Sequence, residues 1–404
     1  MDHSIVLFLF FFYTELMKKN LYFDCAATAL YDEAIIKNAL EKSLCFFANP
    51  SSLHKKGLEA KQCLEACREK AAKSLEIPAE QLFFTSGGTE ANQIAILSLL
   101  TRPSKGSILI SAIEHPAVRE QVKMLESSGW SVQTIPVNTE GSINLRSLRE
   151  KLSADTALVS VMAVNNETGA IQPIEKIGAL LQELYEGKRK PRFHVDAVQA
   201  IGKIPFSLKQ TAIDSAALSA HKIGGPKGVG ALYTKHQMES FLKGGNQERG
   251  LRSGTENLFG IYAFADCLEK YTIGEKTQAF ECYEKQKTLT AFFIEEVKNI
   301  KAATIIPEKR TGKEGESFSP WIVQAAFQNI PAQVLIRALS EHGVCISSGS
   351  ACSSKKLSRP VLEAMNLPKE QIQNAVRFSF CPSHTRENIE SLLALLKNTV
   401  NQYG

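Results

Sequence analysis

From Asp32 onward the chain alternates helix-period stretches with short β-branched runs, and this alternation limits the fold more than any other feature. Asp32 and Ser52 each precede a helical segment, and the second carries Ala60, Leu64, Cys67 and Ala71 on one face. Short apolar runs recur at Leu82–Thr85, Ser107–Ile113, Val132–Val137, Ala157–Val164, Arg192–Val198, Ser215–Ala220 and Val229–Thr234, mostly with helices between them. Runs that are apolar on both faces belong to a mainly parallel sheet covered on both sides by helices, so the pattern predicts an α/β fold with seven strands. After Thr255 the rhythm changes to long helices, Glu256–Lys270 and Thr277–Lys298. That change predicts a large domain over 32–270 and a smaller α/β domain over 271–404, with 17–31 as an N-terminal segment packing on the smaller one. The polar stretch Glu308–Glu316 reads as a surface loop.

With 404 residues, 44% of them hydrophobic and 22% charged, the chain has enough apolar surface for two cores, which excludes disordered and fibrous classes. Its net charge of +5 is a small excess of 47 basic over 42 acidic residues with no basic stripe, so nucleic-acid binding is not expected. Nine cysteines at irregular spacings form neither a disulfide framework nor a zinc pattern, and Cys63 and Cys67 are helical neighbours. They point to a reducing compartment, here the cytoplasm. The apolar run Ile5–Tyr13 is shorter than the roughly 20 residues a membrane span takes, and it lacks the basic start and cleavage site of a signal peptide. No membrane association is expected. Residues 1–16 read as a mis-assigned start, with translation from Met17, or as a genuine extension.

Three segments carry chemistry. In Phe83–Glu90 a strand enters a Gly-Gly turn that opens a helix near Glu90, where Gly88 lets backbone N–H groups approach a phosphate and Thr89 offers a hydroxyl. Alone, such a turn is ordinary. In Phe193–Gln199 an otherwise apolar strand ends in Asp196, a carboxylate whose burial is costly without a charged partner such as a protonated pyridine nitrogen; a helix cap or salt bridge is the plainer alternative. In Leu218–Gly228 one lysine, Lys222, follows a strand and precedes a glycine-rich turn at the carboxyl edge of the sheet, with Ser219 and His221 in reach of the same phosphate. Desolvation there lowers a lysine pKa enough for imine chemistry. The three together describe an electron-sink site.

At this point the chain resembles the cysteine desulfurases of the NifS/IscS type, in the class V aminotransferase group of fold-type I pyridoxal-phosphate enzymes. The likeness runs from Leu21 to about Leu395, through FDCAAT at 23–28, ANPSSLHKKG at 48–57, FTSGGTEANQ at 84–93, EHPAV at 114–118 and VNNETG at 164–169. It continues through HVDAVQ at 194–199, SAHKIGGPKGVGALY at 219–233, GGNQERGLRSGTEN at 244–257, SSGSACSS at 347–354 and VRFSF at 376–380. The resemblance implies pyridoxal 5′-phosphate as cofactor, with Lys222 forming the imine and Asp196 pairing with the ring nitrogen. His115 would stack on the ring and shuttle protons. Asn166 and Gln199 would contact the substrate carboxylate region or the cofactor's phenolic oxygen. Thr89, Ser219 and His221 would hold the phosphate, together with Thr255 from the neighbouring subunit of a homodimer.

Arg377 has the planar fork that binds a carboxylate at two points, and the resemblance gives it the carboxylate of the substrate, L-cysteine. Cys352 lies in a small, polar, glycine-containing segment that cannot pack a core, which argues for an exposed thiol. By resemblance it is the nucleophile that takes the sulfur as a persulfide, leaving L-alanine, and passes it to an iron–sulfur scaffold, a tRNA-thiolation enzyme or another acceptor. The resemblance also permits Cys352 as a transient iron–sulfur ligand during transfer. Two departures stand out: Cys25 replaces the Asn or Tyr often found in the family's N-terminal motif, and Ala29-Leu30 replaces the usual Thr-Pro. Rival readings are a selenocysteine lyase or aminotransferase-like enzyme of the same fold, and an idle assembly platform that keeps the fold for partner binding.

Overall fold

The computed structural model describes residues 21–209, 212–274, 277–312, 317–349 and 358–404. They divide into two compact units. The larger spans Ala29–Asn166 and Ala170–Tyr283; the smaller takes the described part of Met1–Thr28, then Glu167–Gly169 and Glu284–Gly404. Strand β1 (Leu21–Tyr22) belongs to the smaller unit, and the next seven to the larger: β2 (Leu82–Thr85), β3 (Ser107–Ser111), β4 (Ser131–Ile135), β5 (Thr156–Met162), β6 (Arg192–Asp196), β7 (Ser215–Ser219) and β8 (Gly230–Thr234).

These seven form one sheet in the order β2-β8-β7-β6-β5-β3-β4, parallel throughout except that β8 runs antiparallel to both its neighbours. The expected seven-stranded α/β architecture is therefore present, with each run of the sequence supplying one strand. Strands β3, β5, β7 and β8 are buried at every position, as a two-face-covered sheet requires.

Helices α1 (Glu33–Cys45), α2 (Lys55–Ser74), α3 (Gly88–Leu97) and α4 (Pro116–Ser127) also belong to the larger unit. Asp32 caps α1 by accepting the Ile35 N–H. The second cap differs from the sequence reading: α2 starts three residues after Ser52, capped by His54, whose Nδ1 accepts the Gly57 N–H at 3.2 Å. A neutral imidazole nitrogen satisfies an orphan helix N–H as a hydroxyl does, but the cap residue is rarely read from a histidine. Ala60, Leu64, Cys67 and Ala71 are all buried on α2, as their spacing predicts, and burial pushes the Cys67 thiol up to about 12.

Arg68 also points inward from α2. Its guanidinium meets the Glu248 carboxylate at two points, 2.7 and 2.8 Å, with the two side chains 3% and 1% exposed. Glu248 further accepts the Phe84 N–H at 2.8 Å, and Arg68 donates to the Leu82 carbonyl at 3.0 Å. One ion pair thus ties α2 and β2 to the 244–257 segment, whose backbone turns left-handed at Glu248 and Arg249 to deliver the carboxylate. Removing one partner of a buried pair strands the other charge. Glu248→Gln is expected to cost about 3 kcal/mol, the lower end of the usual range because Glu65 still reaches Arg68. A Leu–Met replacement of both partners should recover most of it. Urea midpoints of the wild type and the two variants check this, and an unchanged midpoint for Glu248→Gln would refute it.

In the smaller unit β9 (Ala303–Ile306), β10 (Ile322–Phe327) and β12 (Ala375–Ser379) form an antiparallel sheet ordered β12-β10-β9, and β1 pairs in parallel with β11 (Val344–Cys345). Phe293 anchors its core, meeting Phe378 and Phe380 at 5.0 and 5.4 Å between centroids, with Phe23 in the same cluster. Of the stretch read as a surface loop, Arg310 is the exception at 1% exposure: its guanidinium donates to the carbonyls of Thr168, Ser319 and Ile322. A charge hidden by three carbonyls has no local sequence signal. The Cys381 thiol is held well below the ordinary cysteine range, chiefly by a hydrogen bond with Cys25 and then with His384. Among the described residues no helix is long and apolar enough to cross a membrane.

Candidate active site

The Gly-Gly turn between β2 and α3 is built for close approach. Gly87 has φ +152°, a backbone that side-chain-bearing residues rarely adopt, and a Cβ on Gly88 would lie 2.6 Å from Val198 Cγ2. The helix begins at Gly88 rather than near Glu90, so its first N–H groups lie within the turn, with Thr89 exposed beside them. Arg252 pairs with Glu90 at 3.3 Å, and Glu90 accepts the Ser86 N–H, which fixes the approach to the turn.

Asp196, the last residue of β6, is buried, and its two oxygens are assigned by name. Asn92 Nδ2 donates to Oδ2 at 2.9 Å, and the Val198 N–H donates to Oδ1 at 3.1 Å. Because the amide nitrogen of Asn92 is committed to Asp196, its oxygen must accept, and it does so from His194 Nε2 at 2.8 Å; His194 Nδ1 in turn accepts from Ser215 Oγ at 2.8 Å. Burial pushes His194 down to about 4, so this Ser215–His194–Asn92–Asp196 chain keeps one tautomer across the neutral range. Neither Asn92 nor His194 stood out in the sequence, since a polar residue on a helix and another inside a strand acquire a role only once β6, β7 and α3 meet.

Lys222 ends a 3-10 turn directly after β7, the strand hydrogen-bonded to β6 with Asp196 opposite Ala217. Its charge and that of Asp196 both act on His115, whose pKa is lowered mainly by burial, then raised in part by Asp196 and lowered by Lys222. His115 caps α4, its Nδ1 accepting the Ala117 N–H at 3.1 Å, so the neutral ring carries its proton on Nε2. His221 is pushed down to about 3 by burial and by Lys222, Lys203 and Lys227, so it too is neutral. Ser219 is buried, and Gln199 is buried with its oxygen accepting from Lys203 at 2.8 Å. Asn166 is half-buried; its neighbour Asn165 donates to the Ile113 carbonyl at 3.2 Å, two residues before His115. Thr255 is exposed.

Glu114, beside His115, is fully enclosed. One oxygen accepts the Ser111 hydroxyl at 2.8 Å and the Met162 N–H at 2.6 Å, while the other has no hydrogen-bond partner. Burial first, and then the Asp196 charge, push its pKa up to about 8. An unfolded Glu titrates near 4.3, so between that value and about 8 the folded chain binds the extra proton, and stability falls as pH rises through the window. This group alone contributes a slope of about 1.4 kcal/mol per pH unit. Glu114→Gln keeps the neutral shape and should flatten the decline; denaturation midpoints at pH 5, 6, 7 and 8 test it, and parallel curves for the two chains would contradict it.

In the smaller unit Arg377 lies on β12, opposite Gln324, and is 2% exposed rather than at the surface. Its guanidinium pairs with Asp24 at 2.6 Å and donates to the Gly349 carbonyl at 2.7 Å. Arg359 holds the neighbouring Ser348 carbonyl and those of Ile372 and Ala375, and pairs with Glu167 at 3.6 Å. Two buried arginines thus fix the chain on either side of 350–357. Cys352, with its expected nucleophile and iron–sulfur roles, lies outside the described residues, as does the 1–16 segment.

The family description "Aminotransferase class-V" matches residues 21–392. A "Cysteine desulfurase" of Nostoc sp. (strain PCC 7120) is 36% identical over 386 residues, covering 95% of this chain and 93% of its own. A "Cysteine desulfurase IscS" of Dictyoglomus turgidum is 33% identical, covering 96% of each. Among solved structures, a "NifS-like protein" superposes with TM-score 0.86 at 34% identity, over 95% of this chain and 100% of that one. A NifS-like protein from Rickettsia africae gives 0.82 at 28% identity, over 95% and 99%.

Proposed function

Since the chain belongs to the aminotransferase class-V family, as a cysteine desulfurase of the NifS/IscS type, we propose that it uses pyridoxal 5′-phosphate to move sulfur from L-cysteine onto Cys352. The observation that carries the cofactor is a buried, doubly hydrogen-bonded Asp196 at the end of β6 together with Lys222 in the turn that follows the adjacent β7. A buried carboxylate with an N–H donor on each oxygen suits a cationic ring nitrogen, and the Gly87–Gly88 turn leaves room where a Cβ would intrude. When bound, the cofactor supplies an electron sink for the α-carbon of the amino acid.

The residues divide the work as follows. Lys222 anchors the cofactor, and its amine takes the α-proton. Asp196, steadied by Asn92, keeps a proton on the ring nitrogen. His115, neutral with its proton on Nε2, stacks on the ring and moves protons between substrate and sulfur. Asn166 and Gln199 fix the substrate carboxylate region or the cofactor's phenolic oxygen. The phosphate is held by the Gly88 N–H, Thr89, Ser219 and His221, with Thr255 of the partner subunit completing the set, so the working enzyme is a homodimer. Arg377 takes the carboxylate of L-cysteine at two points, exchanging for it the Asp24 carboxylate and the Gly349 carbonyl that its guanidinium otherwise holds. The Cys352 thiolate attacks the substrate sulfur: the new S–S bond forms as the C–S bond breaks, and the electron pair and a proton return to carbon to give L-alanine.

The persulfide then passes to an acceptor such as an iron–sulfur scaffold or a tRNA-thiolating enzyme, with Cys352 as a transient iron–sulfur ligand in the first case. The odd number of thiols fits action in the cytoplasm. The test is product analysis of the purified chain with L-cysteine and a reductant. Alanine and sulfide in equal amounts support the reading, whereas a keto acid in place of alanine sinks it in favour of an aminotransferase.

A further inference from the structure

Among the described residues a single group of three metal-ligating side chains comes together, and it uses none of the residues assigned above. Cys25, Cys381 and His384 bring their ligand atoms within 4.8 Å of one another, and all three are buried. They belong to the smaller unit, where Asp24 bridges to Ser379 and so brings the residue after it beside the end of β12. The Phe23 and Phe380 rings flank the imidazole, stacked at 4.5 Å and edge-on at 6.0 Å.

The imidazole is already oriented as a ligand. Its Nε2 donates to the Tyr22 carbonyl at 3.1 Å, and its Nδ1 faces Cys381, whose N–H it accepts at 3.2 Å. An N–H held by a backbone carbonyl is the outer contact that metal-bound histidines make, and the other nitrogen lies within 4.8 Å of both sulfurs. Two further polar contacts are Ser383 Oγ, 3.2 Å from the Cys381 sulfur, and the Tyr22 carbonyl, 3.9 Å from the Cys25 sulfur. Neither is a good fourth ligand for zinc, which in closed structural sites takes four strong N or S donors. Two sulfurs and one nitrogen suit the softer Cu(I). Cys25 is moreover a departure of this chain, standing where the family pattern often has Asn or Tyr.

We infer that Cys25, Cys381 and His384 form a three-coordinate binding site for a thiophilic metal ion of the Cu(I) class. Two S–Cu bonds and one N–Cu bond form, each thiol that becomes a thiolate releases a proton, and His384 Nδ1 gives up the Cys381 N–H to bind the metal. No electron is transferred.

The experiment titrates the reduced, full-length, cofactor-loaded protein with Cu(I) without oxygen, against bicinchoninate as competing chelator. The chains compared are the wild type, Cys25→Asn and His384→Gln. Asn is a common family residue at this position, so Cys25→Asn keeps the fold, which circular dichroism verifies; the other seven thiols and Cys381 are common to all three chains. The wild type is expected to retain one more equivalent than Cys25→Asn, and His384→Gln to hold that equivalent at least about tenfold more weakly. X-ray absorption should show two sulfurs and one nitrogen around the additional copper. Equal stoichiometry and affinity in all three chains would overturn the site, and tighter retention of Zn(II) than of Cu(I) would overturn its three-coordinate character.

Discussion

Replacing Lys222 with alanine should slow alanine formation from L-cysteine by at least about 10²- to 10⁴-fold, the usual contribution of one positioned proton-transfer group. The loss will exceed that range if anchoring of the cofactor fails as well. Lys222 sits one strand from Asp196 and within electrostatic reach of His115, and Lys203 and Lys227 also act on His221. Lys203, the buried one of the two, is committed to Gln199 at 2.8 Å. The chemical readout is independent of turnover. Borohydride reduction of the wild type should add the cofactor's mass to the peptide containing Lys222, and the Lys222→Ala chain should take up none. Retained labelling in the variant would move the covalent role to another lysine.

Cys352→Ala should fail in the opposite way. The variant keeps the Asp196 relay, the Gly87–Gly88 turn and Lys222, so it should bind the cofactor and label with borohydride as the wild type does, yet form neither alanine nor sulfide above the level of protein-free cofactor. The two substitutions thus separate cofactor anchoring from sulfur capture. A Cys352→Ala chain that still releases alanine and sulfide at the wild-type rate would return the sulfur to solvent chemistry and remove the need for a protein persulfide.

Much of the larger unit could be read along the chain, because its strands are buried on both faces and announce themselves as compact apolar runs. The ends of elements were less legible: His54 does the capping expected of Ser52, and α3 opens two residues earlier than Glu90 suggests, since glycine allows the helix to start inside its own turn. For the site, the residues that would touch the cofactor lie in short motifs and could be named singly. What supports them could not. Asn92 and His194 are 102 positions apart and become one relay only through the pairing of β6 with β7 and the packing of α3. Arg310 and Glu248 are ordinary surface types by composition; their burial is decided by carbonyls and a guanidinium contributed from far along the chain.

The divided ancestry of the smaller unit has a consequence for the order in which the protein is made. Everything the larger unit needs has been synthesised once Tyr283 emerges, whereas Ala26 waits for Ser379, whose hydroxyl accepts its N–H, and β1 waits for β11. At about 5–20 residues per second, the intervening chain takes roughly 20 to 70 s to translate. For the last part of that interval, after Tyr283, Phe23 and its neighbours await their partners while every residue of the larger unit has already been made.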